Sequence, residues 1–210
     1  MSEHTHGPGD PSHAAVEETE PHGFYQYLAD AVRELLIEKG VFTAEDMRRA
    51  VEAMDARSPA QGARVVAHAW VDPEYKQRLL ADGSAAVEEL GVDMGTTRLV
   101  VVENLSKVHN LIVCTLCSCY PRMLLGIPPA WYKSREYRSR AVSEPRAVLA
   151  EFGTVLADDV EVRVHDSTAD MRYLVLPMRP SGTEQLGEDA LAALVTRDTM
   201  VGVAQIPSAK

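Results

Sequence analysis

Residues 113–120, Val-Cys-Thr-Leu-Cys-Ser-Cys-Tyr, contain every cysteine of the 210-residue chain. Cys114, Cys117 and Cys119 are spaced i, i+3 and i+5, whereas structural cysteines are normally scattered through a core as small apolar residues. Three sulfurs at this spacing converge on one point only if the backbone folds around something, and the best candidate is a metal ion. Residues 114–119 are called the cysteine loop below.

Other kinds of cysteine site fit this pattern less well. An odd cluster does not make a disulfide framework, and zinc or iron–sulfur sites normally take four side-chain ligands from separated pairs. His109 could supply a fourth ligand, but a lone histidine at the start of an apolar run is more often structural. A nucleophilic cysteine–histidine site would need only one thiol. Three soft thiolates favour a transition metal, and the amide of Ser118, between two cysteines, must pass close to it.

The first ninety residues show helical periodicity and capping signals, and shorter β-branched runs follow them. We predict seven helices from these signals. They lie at about 24–39, after a cap at Thr43, at about 60–70, from Asp72 to near Gly83, in a short segment that ends at Leu90, at 143–152 and at 188–195. We predict strands at 98–102, 111–113, 161–165 and 172–176. The fold class is therefore α+β, with an N-terminal helical arm followed by a mixed-sheet domain that carries the cysteine loop after a strand. The predicted division is a tail at 1–23, the arm at 24–91, the metal-binding catalytic domain at 92–204 and a tail at 205–210.

Composition limits the classes of partner. The formal net charge of −10 argues against nucleic acid and against an anionic membrane surface. No apolar run approaches the ~20 residues of a membrane span and no signal peptide is visible, so we expect a cytoplasmic protein with reduced, metal-bound thiols. Residues 1–23 hold four of the seven histidines, which indicates a disordered tail or a weak metal-collecting one.

The cysteine loop resembles the metal-binding motif of the nitrile hydratase alpha subunit, cobalt type. Flanking segments match the same family and extend the resemblance over about residues 24–204. They include Ala69-Trp-Val-Asp-Pro-Glu-Tyr-Lys76, Val102-Glu-Asn104, Val108-His-Asn110, Leu125-Gly-Ile-Pro-Pro-Ala-Trp-Tyr-Lys133, Tyr137-Arg-Ser-Arg140 and Leu176-Pro-Met-Arg-Pro-Ser-Gly-Thr183. The family resemblance agrees with the α+β class.

The resemblance implies a ligand set. Cys114 would be the axial thiolate, and Cys117 and Cys119 would be equatorial ligands oxidised to cysteine sulfinic and cysteine sulfenic acid. The amide nitrogens of Ser118 and Cys119 would fill the other equatorial positions. These residues would hold one low-spin, non-corrin cobalt(III) ion per chain.

Two neighbours of the cysteines favour cobalt over iron in the resemblance. Thr115 and Tyr120 match the cobalt form, whereas the iron form carries serine and threonine there. The implied activity is that of a lyase that hydrates a nitrile to the amide, with Cys119, Cys117 and Ser118 as catalytic residues. The implied partners are a beta-type subunit, or two split chains as in the toyocamycin type, that supplies arginines to the oxidised cysteines. A metallochaperone is a further candidate partner, and the 24–39 helix is expected to pack on a partner chain.

Arg122 departs from the nitrile hydratase pattern, which has a tryptophan against the substrate pocket at this position. Arginine there resembles the thiocyanate hydrolase gamma subunit, so a thiocyanate hydrolase gamma-type subunit is an alternative. A non-catalytic metal-binding protein is another alternative. The remaining polar residues are predicted to have supporting roles. We expect structural or interface contacts for His68 and a surface turn at His165 and Asp166. We expect support of the cysteine loop or a buried hydrogen bond for Glu103, and salt bridges on a helix surface or at an interface for Arg138 and Arg140.

Overall fold

A computed structural model describes residues 23–207 and confirms the α+β class. The chain divides into two compact units between Ala56 and Arg57. The first unit contains α1 (Phe24–Glu38) and α2 (Ala44–Asp55). The second unit contains, in order, α3 (Pro59–Val71), α4 (Pro73–Ala81), α5 (Gly83–Glu89), β1 (Arg98–Glu103), β2 (Val108–Val113), α6 (Arg122–Leu125), α7 (Ala130–Lys133), α8 (Arg135–Ser143), α9 (Pro145–Glu151), β3 (Glu161–Asp166), β4 (Met171–Leu176), α10 (Glu188–Ala192) and α11 (Arg197–Val201). The predicted N-terminal tail lies outside the described residues except for Gly23.

The two helices of the first unit begin where the sequence predicts and have no buried residues. Thr43 caps α2: its hydroxyl accepts from the Asp46 amide at 3.0 Å, and the Asp46 carboxylate accepts from the Thr43 amide at 2.9 Å. Asp46 therefore completes the capping box in place of the usual Glu or Gln. Helix α1 leaves a set of large apolar side chains exposed, namely Phe24, Tyr25, Tyr27, Leu28, Val32 and Leu35.

Helices α3 to α5 belong to the second unit, although we predicted them as part of an arm that ends at residue 91. Asp72 caps α4 by accepting from the amides of Glu74 and Tyr75 at 2.9 Å, and Asp82 caps α5. The three helices contribute fully buried side chains to the core, including Val65, Val66, Tyr75, Leu79 and Val87. This burial ties them to the strands, so the boundary falls before α3.

The strands form two parallel pairs instead of the single mixed sheet that we expected. Strand β1 pairs with β4, with Arg98 opposite Met171, and β2 pairs with β3, with Val113 opposite Asp166. Antiparallel pairing outside these strands is limited to one bridge, Leu105 to Val108, within the described part of the chain. Parallel strands need long crossovers, and the chain between β2 and β3 supplies one that contains α6 to α9.

Several short helices of the second unit have no counterpart in the predicted pattern. Helices α6 and α7 span four residues each, too few to show a periodicity, and α8 and α11 were also missed. The helix predicted from Ser143 begins instead at Pro145, because Pro145 takes its N1 position and holds Glu144 out of the helical region. None of the helices between residues 23 and 207 is long and apolar enough to cross a membrane.

Candidate metal centre

The cysteine loop leaves the end of a strand whose last five residues are buried. In β2, Leu111, Ile112 and Val113 are almost inaccessible to solvent, and the Tyr137 hydroxyl donates to the Ile112 carbonyl at 2.6 Å. Cys114 follows directly and is itself buried. The sheet therefore fixes the first cysteine, as the sequence predicted.

The three sulfurs converge as their spacing predicts. Their Sγ atoms all lie within 4.8 Å of one another. Cys114 Sγ is 3.5 Å from Cys117 Sγ, which is 3.2 Å from Cys119 Sγ. Cys114 is buried, Cys119 is half-buried and Cys117 is exposed. Within residues 23–207 these three residues form the one group of histidine, cysteine or acidic side chains arranged closely enough to share a metal ion.

The loop also stabilises negative charge on sulfur. The Cys119 thiol, the Ser118 amide N–H and the Cys114 thiol lower the pKa of Cys117 to about 7, and the Cys119 amide N–H adds to this. Burial and then the contact with Cys117 raise the pKa of Cys119 to about 12. A coordinating metal ion would deprotonate the thiols outright. The amides of Ser118 and Cys119 thus approach the sulfur cluster, as nitrogen ligands would.

Asp166 anchors the start of the loop, a role that we did not predict. Its carboxylate accepts from the Thr115 amide at 2.9 Å and from the Thr115 hydroxyl at 2.6 Å. Asp166 ends β3 opposite Val113, so the prediction of a surface turn at His165 and Asp166 was wrong. Both residues are in the strand, and His165 Nε2 is 2.8 Å from Asn110 Oδ1.

Two residues hold the far side of the loop through backbone carbonyls. Arg138 Nη1 donates to the Cys117 carbonyl at 2.7 Å, and the Tyr132 hydroxyl donates to the Cys119 carbonyl at 2.9 Å. The salt bridge predicted for Arg140 is confirmed, since it pairs with Glu144 and Glu151. No acidic partner of Arg138 lies in the described residues, and its contact is with the loop instead.

A cavity of about 410 Å³ opens beside the loop. Its lining residues are Arg57, Met94, Thr97, Cys117, Ser118, Cys119, Tyr120, Pro121, Arg122, Met123 and Arg172. The structure therefore brings Arg122, at the start of α6, to the same cavity as the second and third cysteines. The volume lies in the usual range for a small-molecule site, and three arginines on its wall favour polar or anionic guests.

The other residues singled out in the sequence have structural roles. His109 is buried with Nε2 2.7 Å from the Gly202 carbonyl, and burial lowers its pKa. His68 Nδ1 lies 3.0 Å from Glu188 Oε2, and Glu103 forms an ion pair with Lys76. None of these three belongs to the sulfur cluster.

Comparison with known proteins identifies the family. The family model described as "Nitrile hydratase, alpha chain" matches residues 24–204. The chain belongs to the nitrile hydratase alpha-chain family. It is 48% identical over 196 residues to the low-molecular weight cobalt-containing nitrile hydratase subunit alpha of Rhodococcus rhodochrous, with 91% of this chain and 95% of that subunit covered.

Thiocyanate hydrolase is a second close relative. The gamma subunit of thiocyanate hydrolase from Thiobacillus thioparus is 46% identical over 192 residues, with 86% of this chain and 79% of that subunit covered. A solved structure of recombinant thiocyanate hydrolase with partially modified cobalt centres has a TM-score of 0.80 at 44% identity and covers 90% of this chain and 94% of its own. The resemblance on which the sequence analysis rests is thereby confirmed.

The donor set of this nitrile hydratase alpha-chain family member suits a soft transition-metal ion. It offers three thiols, two of them accessible from the cavity, and two backbone amides close to the Cys117 sulfur. Hard ions such as magnesium or calcium prefer oxygen ligands, which the cluster does not contain.

Proposed function

We propose that this chain is the catalytic, metal-binding subunit of a nitrile hydratase and hydrates a nitrile to the amide. The observation that carries the proposal is the convergence of Cys114, Cys117 and Cys119 beside a cavity that Cys117 and Cys119 line and that is large enough for a small substrate. The metal would be one low-spin, non-corrin cobalt(III) ion per chain, since relatives at 47–48% identity are named as cobalt-containing subunits and a thiocyanate hydrolase structure at 44% identity has cobalt centres. Its ligands would be the three thiolates and the amide nitrogens of Ser118 and Cys119.

The exposure of the cysteines supports a difference in oxidation. Oxidation follows thiolate character and accessibility, and Cys114 is buried whereas Cys117 is exposed and Cys119 is half-buried. We therefore propose a sulfinic acid at Cys117, a sulfenic acid at Cys119 and an unmodified thiolate at Cys114.

In the proposed reaction the metal ion and the two cavity-lining cysteines, Cys117 and Cys119, would have separate roles. When bound, a tripositive ion supplies Lewis acidity that polarises a nitrile or acidifies a water molecule. The oxygen on Cys119 would face the nitrile carbon as a nucleophile, and Cys117 would carry a second anionic group. The hydrogen bonds that Arg138 and Tyr132 donate to the carbonyls of Cys117 and Cys119 would keep these two residues in place during the reaction. This limits the reorganisation that the transition state requires.

A beta-type partner, as one chain or two, completes the proposal. Oxidised sulfurs carry oxyanions that need strong donors, and we propose that partner arginines supply them. The exposed apolar side chains of α1 offer a docking surface of the kind that protein partners cover. We place the complex in the cytoplasm, with a small nitrile as substrate, a metallochaperone as a further partner, and no nucleic acid or membrane contact.

The decisive experiment measures cobalt and nitrile hydration in the complex purified with its partner. Cys114→Ala, Cys117→Ala and Cys119→Ala should each lose cobalt and activity. The matched control is Ser118→Ala, which should retain cobalt because the amide nitrogen rather than the hydroxyl is the ligand. Full cobalt retention in two of the three cysteine variants would refute the metal centre. Stoichiometric cobalt without turnover of any nitrile would favour the non-catalytic metal-binding alternative.

Arg122 supports thiocyanate hydrolysis as a second candidate function, because it shares the cavity wall with Arg57 and Arg172. A fixed cation favours an anion such as thiocyanate and disfavours small alkyl nitriles, which cannot compensate its desolvation. Arg122→Trp should then raise the ratio of kcat/KM for apolar nitriles to that for thiocyanate. Arg122→Gln removes the charge without adding an aromatic wall and so separates the two effects. An unchanged ratio in both variants would exclude Arg122 from substrate selection.

A further inference from the structure

Arg138 and Arg140 lie two residues apart on the same helix but have different partners. It lies on α8, where Arg140 is paired with two carboxylates. The Arg138 guanidinium has no carboxylate partner in the described chain, and its Nε atom is buried without a hydrogen-bond partner. Its hydrogen bond goes to the carbonyl oxygen of Cys117 at 2.7 Å. A cation is therefore directed at a single peptide group of the cysteine loop.

That peptide group is one of the two that the proposed metal site would alter chemically. The carbonyl of Cys117 and the nitrogen of Ser118 belong to the same peptide, and resonance shares charge between them. When the Ser118 nitrogen becomes a ligand, its N–H bond breaks, the proton passes to solvent and no electron is transferred. Negative charge then spreads to the Cys117 oxygen, where a hydrogen bond from an arginine becomes charge-assisted at both ends.

The carbonyls of the next two loop residues, Ser118 and Cys119, accept no hydrogen bond from a charged donor within residues 23–207. The Tyr132 hydroxyl, which is neutral, donates to the Cys119 carbonyl, and that peptide's nitrogen belongs to Tyr120, which is not a proposed ligand. The carbonyl of Ser118, in the other ligand peptide, has no donor among residues 23–207. Within residues 23–207, the one arginine that hydrogen-bonds to the cysteine loop thus donates to a proposed ligand peptide, and a neutral hydroxyl donates to a peptide that stays neutral.

We propose that Arg138 is a positioning residue of the metal centre that holds the Cys117–Ser118 peptide with its nitrogen toward the sulfurs and compensates the negative charge of that peptide. This inference rests on the proposed amide ligation of the metal. Three anionic sulfur ligands and two deprotonated amides carry more negative charge than a tripositive ion offsets, and part of the cluster is buried. A nearby unpaired cation is therefore stabilising, because uncompensated charge is costly in such a place.

The test compares Arg138→Gln, Arg138→Lys and the matched control Arg140→Gln in the complete complex with its partner. The measured quantities are the rate of cobalt loss to a chelator and the thiolate-to-metal absorption band. We expect Arg138→Gln to lose cobalt roughly 10- to 100-fold faster, the range that a lost hydrogen bond to a charged group implies, and its band to shift. Arg138→Lys should recover part of both properties because it restores the charge, and Arg140→Gln should match the parent protein.

A second measurement needs no variant that might fold poorly. Protein labelled with carbon-13 at the cysteine carbonyls contains three labelled peptides, and we expect one infrared band to move to lower frequency when cobalt is loaded. The same band should differ again in Arg138→Lys.

The outcomes separate this inference from the proposed function. An Arg138→Gln complex with the parent's cobalt loss and absorption overturns the role of Arg138 and leaves the metal centre intact. Equal acceleration in Arg138→Gln and Arg140→Gln also overturns it, because a general effect of α8 packing would then explain both. A parent complex that binds no cobalt overturns the proposed function and this inference together.

Discussion

Replacing Gly202 with alanine should destabilise the second unit far more than the same change at Gly153. Both glycines have a positive φ, +92° and +83°, and this left-handed backbone costs an alanine about 1–2 kcal/mol at either site. A Cβ on Gly202 would lie only 2.0 Å from the Asn110 carbonyl oxygen, whereas a Cβ on Gly153 meets nothing within 4 Å. The pair therefore separates backbone strain from steric overlap.

The magnitude follows from that overlap. Cβ atoms essentially never come closer than 3.0 Å to another heavy atom, so Gly202 or Asn110 must move by about 1 Å. Overpacking of a core usually costs about 1–3 kcal/mol. With the cost of the left-handed backbone included, Gly202→Ala should lower the free energy of unfolding by about 2–5 kcal/mol. In a domain of this size each 1 kcal/mol lowers Tm by about 2–4 °C. The expected Tm of Gly202→Ala is thus roughly 4–20 °C below that of the parent.

Thermal and urea unfolding of the two variants, followed by circular dichroism, would measure this difference. Cobalt occupancy should fall with stability at Gly202, since its carbonyl also contacts His109 at 2.7 Å and both neighbours lie in the strand that leads to Cys114. Equal losses of stability in Gly202→Ala and Gly153→Ala would refute the steric argument.

Three further outcomes are expected. Asp166→Ala should lower cobalt retention by roughly 10-fold or less, because it removes two partly solvated hydrogen bonds to Thr115. A metal-release assay in which Asp166→Asn retains no more cobalt than Asp166→Ala would contradict this anchoring. Burial lowers the pKa of His109 below its ordinary 6.5, so the unfolded chain takes up a proton at a higher pH than the folded chain does. The contribution of neutral His109 to the free energy of unfolding is therefore complete above pH 6.5 and declines below it. Urea midpoints that fall equally with acid in His109→Gln would contradict the assignment. Peptide mass spectrometry of anaerobically handled complex should find added oxygen on Cys117 and Cys119 but not on Cys114, and three unmodified cysteines in fully active enzyme would rule out a role for oxidation.

Local signals made the helices of the first ninety residues and the strand segments predictable. The boundary of α2 depends on Thr43 and Asp46, and that of α4 on Asp72, all within a few residues of the helices that they cap. Strand partners could not be predicted in this way, because pairing such as Val113 with Asp166 depends on how distant segments pack. The two parallel pairs therefore emerged only in the structure, as did the four-residue helices.

The same distinction applies to the metal centre. The three cysteines and Ser118 could be singled out from the sequence because six consecutive residues contain all of the proposed ligands. Their supports come from other elements: Asp166 is 51 residues from Thr115, and Arg138 is 21 residues from Cys117. Arg138 looked like an ordinary surface arginine in the sequence. The missing carboxylate partner, which only the structure reveals, distinguishes it from Arg140.

The supports of the loop also hold the proposed metal site in shape without a bound ion. Asp166, Arg138 and Tyr132 bind the amide and hydroxyl of Thr115 and two backbone carbonyls, and none of them uses a sulfur atom. The thiols are consequently left to face one another, and Cys117 and Cys119 also line the cavity. A site held by its backbone loses less conformational freedom when it binds its ion. Changing a support while all three cysteines remain should thus weaken metal binding without removing a ligand, and the size of that loss measures how much of the affinity comes from preorganisation.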